Sequence, residues 1–78
     1  MQYLIVQAKK RGTDELVRNL SVLIDGELNG AVGTPLMLDE GIIDVSVHTP
    51  GAEEITVEIE NTTKEQPLKV VIEIEQHK

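Results

Sequence analysis

The chain has 78 residues, enough for one domain with a thin core, and it has no cysteine, which excludes disulfides, Cys-ligated zinc and a thiol nucleophile. Fourteen acids against seven bases give a formal charge of -7, which argues against a nucleic-acid partner, because neutralising phosphates takes clustered Lys and Arg. No apolar run approaches a membrane span, and Tyr3 to Val6 is too short for a signal h-region and is followed by its bases, so neither membrane insertion nor an export signal is expected of this segment.

The apolar residues are almost all Val, Ile, Leu and Ala, with Tyr3 the single aromatic, and β-branched residues of this kind favour strands. Tyr3 to Ala8 reads as a first strand. Gly12 to Arg18 breaks the pattern: Thr13-Asp14-Glu15-Leu16 has the form of a capped helical turn, too short for a stable helix, with Leu16 and Val17 able to open the next strand. Leu20, Val22 and Ile24 then alternate with polar neighbours. Asp25-Gly26 and Asn29-Gly30 are both dipeptides suited to a two-residue hairpin, and the pattern does not choose between them.

Pro35 to Leu38 is a short extended piece, and Asp39-Glu40-Gly41 marks a reversal. Ile43, Val45 and Val47 face one way, with Asp44, Ser46 and His48 the other. Pro50-Gly51 turns the chain again. Ile55, Val57 and Ile59 oppose Thr56, Glu58 and Glu60; Asn61-Thr62-Thr63 ends that strand. Leu68, Val70, Ile72 and Ile74 then alternate with Lys69, Val71, Glu73 and Glu75. These periods predict an all-β fold, a small antiparallel β-sandwich of five to six strands with at most one helical turn, in a single domain over residues 1–78.

From Leu20 onward four marks occur in order: the Asp25-Gly26 turn, the Gly33-Thr34-Pro35-Leu36 run, Gly41 leading into an alternating valine strand, and the Pro50-Gly51 corner before two acidic strands. With these marks, most clearly over residues 20–75, the chain resembles the PEGA domain family; Ala52 stands where that family commonly has Tyr or Phe. The resemblance implies a compact sandwich related to prealbumin-like and carboxypeptidase-regulatory-like modules. Such modules are appended to larger envelope, surface or signalling proteins and serve in adhesion, spacing or assembly. It implies a cell-envelope or extracellular place if the chain is part of a longer protein, and it carries over no catalytic residue.

The residues themselves offer little chemistry. Asp25, Glu27 and Asn29 occupy the first, third and fifth places of a calcium-type loop, with Gly30 at the sixth, but Leu36 stands where the bidentate carboxylate belongs. The structural reading of this stretch is a hairpin turn. His48 and His77 lie far apart and lack metal-ligand spacing. Ser21, Ser46 and His48 supply triad residue types without an activating motif. Lys9, Lys10 and Arg11 form the one basic cluster, suited to a strand end or to contact with an acidic face of a second copy. Asn19-Leu20-Ser21 and Asn61-Thr62-Thr63 fit the glycosylation sequon, which matters only in an exported chain.

No catalytic residue, metal site or cofactor is therefore expected, and the sequence points to a non-enzymatic interaction, adhesion or spacer module with a protein or cell-surface partner and weak self-association. The rival is a small ligand- or cation-binding regulatory domain using the acids near Asp25 or Asp39 to Asp44. An unguarded sheet edge would be the natural docking site. Tyr3, Leu4, Ile5, Val6, Gln7 and Ala8 carry no charge and no proline, so if the first strand lies at an edge, that segment is the expected contact.

Overall fold

Alternation puts one side of each strand in the core, and in the computed structural model, which describes residues 1–75, those sides belong to two sheets packed face to face. The strands are β1 (Gln2–Lys10), β2 (Leu16–Val17), β3 (Ser21–Ile24), β4 (Glu27–Ala31), β5 (Leu36–Leu38), β6 (Gly41–Val47), β7 (Ile55–Ile59) and β8 (Leu68–Ile74). There are eight in place of the five or six expected. The additions are the two-residue β2 and the wholly exposed β4, neither of which has the apolar alternation that marks a half-buried strand. No helix occurs among the described residues.

One sheet, called sheet B here, runs β4-β3-β6-β7 with every pairing antiparallel. Sheet A is built around β1. On one side β1 pairs β5 near its start (Gln2↔Leu38) and β2 near its end (Ala8↔Val17), both antiparallel. On the other side β8 lies along it from Leu4↔Leu68 to Lys10↔Ile74, and this pairing is parallel. The sandwich is thus antiparallel except where the first and last strands meet. Between β5 and β2 the flank of β1 is bridged by the Gly33 N–H, which donates to the Val6 carbonyl at 2.8 Å.

The segment Tyr3, Leu4, Ile5, Val6, Gln7 and Ala8 is consequently not an edge. It is the interior strand of sheet A, with β8 along one side and β5, β2 and the Gly33 amide along the other, so its backbone is occupied within the chain and the expected edge contact is withdrawn. Gly12 to Arg18 is also not a helical turn. It closes a β1–β2 hairpin: the Lys10 N–H donates to the Glu15 carbonyl at 3.0 Å, and the Thr13 hydroxyl caps the bend through the Lys10 carbonyl and the Glu15 N–H.

The two candidate hairpin dipeptides are now distinguished. Asp25 (φ 52°) and Gly26 (φ 84°) both take positive φ between the paired residues Ile24 and Glu27, as a type I′ turn requires. Asn29-Gly30 lies within β4 instead. Packing there is close, because a Cβ on Gly30 would collide with the Leu36 side chain.

The core draws on both sheets. Leu4, Val6 and Ala8 of β1 and Val70, Ile72 and Ile74 of β8 face Val22, Val45, Val47 and Ile59 of sheet B, all buried in one apolar cluster. Leu36 closes one end. Burial of a Val, Leu or Ile side chain contributes about 1.5–3 kcal/mol, so this cluster is what offsets the ordering entropy of a chain without disulfides.

Candidate interaction surface

Strand alternation that fills the core also decides what each sheet shows to solvent. On sheet B, the outward residues of β6 and β7 are Ile42, Asp44, Ser46, Thr56 and Glu58, with Ile42↔Glu58 and Asp44↔Thr56 in register. Polar groups here engage one another. The Thr56 hydroxyl donates to Asp44 Oδ1 at 2.6 Å, and the buried Ser46 hydroxyl donates to the Glu53 carbonyl at 2.8 Å. Glu58, Glu54 and Glu60 are exposed alongside. This face is acidic.

The outward residues of sheet A are different in kind. Along β1 they are Tyr3, Ile5, Gln7 and Lys9; along β8 Lys69, Val71 and Glu73; Met37 of β5 sits beside Tyr3, and Leu16 of β2 beside Lys9. Met37 is 63% exposed and Val71 42% exposed, while Tyr3 and Ile5 are half-buried and take no part in the core. The Tyr3-Leu4-Ile5-Val6 run is apolar on both faces of its strand, a pattern typical of strands covered on both sides, yet among the described residues only one side packs into the core.

Arg11 marks the end of this face. Its guanidinium lies 3.0 Å from Glu75, 3.7 Å from Glu73 and 3.9 Å from Glu53, joining the end of β1 to β8 and to the segment before β7. Lys10 pairs with Glu15 at 2.8 Å. Of the basic cluster, Lys10 and Arg11 are thus engaged internally, whereas Lys9 and Lys69 make no ion pair among the described residues.

The acids singled out in the sequence are partly brought together. Asp25 Oδ1 accepts the Asp44 N–H at 3.0 Å, and the Asp25 N–H donates to the Asp44 carbonyl at 2.9 Å, so the turn carboxylate is directed at backbone. Glu27 and Asn29 extend along exposed β4. Among the described residues no group of three or more His, Asp or Glu side chains is arranged to hold a metal ion. His48 lies beside Ser46 at a shallow cleft of about 520 Å³ that also includes Leu23 and the Thr49 to Ala52 bend. A second cleft of about 520 Å³ opens where sheet A is split between β2 and β5, beside Gln7, Val17, Arg18 and Thr34. His77 lies outside the described residues.

What the sequence reading missed is the outward row of sheet A, above all Met37, Lys69 and Val71. The signal was available in Val70-Val71-Ile72, where an apolar residue occupies a position that alternation assigns to solvent. No described helix is long and apolar enough to cross a membrane. Searches against family models, curated proteins and solved structures find no match to this chain.

Proposed function

We propose that this chain is a non-enzymatic interaction module of the PEGA kind, serving adhesion, spacing or assembly in a larger envelope or signalling assembly. The observation that carries the reading is the outer face of sheet A. An apolar sheet face with Tyr3, Ile5, Met37 and Val71 on a domain of charge -7 is a surface suited to contact with another macromolecule. The side chains that would serve acid–base or nucleophilic chemistry point another way: Ser46 is tied to a backbone carbonyl, and Asp25 and Asp44 hold hairpin and strand together.

The test is to place a photoreactive side chain at Met37 or Val71 of the full-length protein and to irradiate it in its native host. Covalent adducts to a polypeptide from these positions, and few from Glu58 on sheet B, are the expected result. Absence of polypeptide adducts from both sheet A positions contradicts the interaction reading.

A further inference from the structure

The outward row of β8 reads Lys69, Val71, Glu73: a base, an apolar residue and an acid, each about 6.6 Å from the next along the strand. Such a row is its own complement. A two-fold axis lying in the plane of a face-to-face contact, across the strands at Val71, sets Val71 against Val71 and Lys69 against Glu73 twice over. The register Gln7↔Val71 puts Gln7 of β1 on the same axis. It follows that Ile5 of one copy meets the aliphatic stem of Lys9 of the other, and that Tyr3 meets Arg11, a ring against a guanidinium.

We propose that the outer face of sheet A is the contact face of a two-fold homodimer of this chain, with its axis across the Val71–Gln7 row. This rests on the interaction reading above and names its partner as a second copy. Charge supports that partner. Lys69 makes no ion pair among the described residues, and Glu73 shares the Arg11 guanidinium with Glu53 and with the closer Glu75, so each has capacity for the other across the axis. Two sheet B faces, by contrast, would bring the outward acids Asp44 and Glu58 of both copies together with no Lys or Arg among the strands of that sheet.

The contact is small. Sheet A is about three strands, or about 14 Å, wide and about 25 Å long, so two copies bury on the order of 700 Å² in total, the size of a weak, transient contact. A dissociation constant on the order of 10⁻⁴ M is expected. Aligned packing of two twisted sheets keeps the strand directions within about 30° of each other, which preserves the Lys69–Glu73 pairing.

Sedimentation equilibrium of the chain from about 10 µM to about 1 mM tests this, with thermal unfolding of each variant recorded in parallel. The parent is expected to pass from monomer to dimer and stop. Val71→Glu places like charges on the axis and abolishes association. Lys69→Glu and Glu73→Lys each weaken it by about tenfold, and the double variant restores it, because the exchanged row is again self-complementary. Ile42→Glu, on the other sheet, leaves it unchanged. A parent that stays monomeric, a Val71→Glu variant that dimerises as the parent does, a double variant no better than the singles, or mass growing beyond the dimer overturns the proposal. A monomer that still gives adducts to a different polypeptide from Met37 or Val71 overturns the homodimer alone, whereas absence of any adduct removes the interaction reading itself.

Discussion

The Arg11 N–H donates to the Ile74 carbonyl at 2.9 Å, so the residue that follows the first strand holds the final residue of the last. This bond extends the parallel β1–β8 ladder by one step, and the ladder closes sheet A only after all of sheet B has been made. Parallel neighbours need a crossover connection, and here the connection is every strand from β2 to β7. Native stability therefore depends on a contact between the two ends of the sequence.

Removing residues 68–78 should accordingly abolish the fold. The truncation strips Val70, Ile72 and Ile74 from the core and leaves one side of β1 unpaired. Circular dichroism and urea titration should show loss of the strand signal and of a cooperative transition. A truncated chain that still unfolds cooperatively would show that β8 is an accessory strand.

Gly30 and Gly33 have nearly the same backbone angle, φ 79° and 77°, but different surroundings. A Cβ on Gly33 meets nothing within 4 Å, while on Gly30 it collides with Leu36. Gly33→Ala should cost about 1 kcal/mol for its left-handed conformation. Gly30→Ala should cost about 1–3 kcal/mol more, because the buried Leu36 must move. Equal urea midpoints for the two variants would remove the packing argument.

Thr62 ties the loop after β7 to the start of β1: its hydroxyl accepts the Tyr3 N–H at 2.8 Å and donates to Gln2 Oε1 at 2.6 Å. Thr62→Val keeps the shape and leaves the Tyr3 amide without its acceptor. A loss of about 1–3 kcal/mol is expected, with faster amide exchange at Tyr3. Unchanged exchange there would mean that the bond is not formed in solution.

Arg11→Met separates charge from packing at the end of sheet A. The ion pairs it removes are half-exposed, so the expected loss is at most about 1 kcal/mol and should fade as salt is raised. A larger, salt-independent loss would place the contribution of Arg11 in its aliphatic stem.

Much of the fold was legible because period two reports which side of a strand is buried, and Val45, Ile59, Ile72 and Ile74 are core residues as their alternation implies. Strand neighbours were not legible, since alternation identifies a face without identifying who lies alongside. Tyr3 to Ala8 illustrates the difficulty. Freedom from charge was read as an unguarded edge, but a strand paired on both sides has equally little use for charge. β4 gave no sign of itself, because all of its residues are exposed. Of the candidate surface, Tyr3 and Ile5 were named for their backbone edge, whereas it is their side chains that meet solvent; Met37 and Val71 become neighbours of that pair only through the register of β5 and β8 on β1.

The central claim is that two copies of this domain meet through the side chains on the outer face of sheet A. Amide chemical shifts recorded over a dilution series of the uniformly labelled chain test it most directly. The account predicts concentration-dependent shifts along the outer row of sheet A, at Tyr3, Ile5, Gln7, Lys9, Lys69, Val71 and Glu73, with Leu28, Ile42 and Glu58 on sheet B unmoved. Shifts gathered along β4 or β7 instead, or no residue shifting at all, would contradict it.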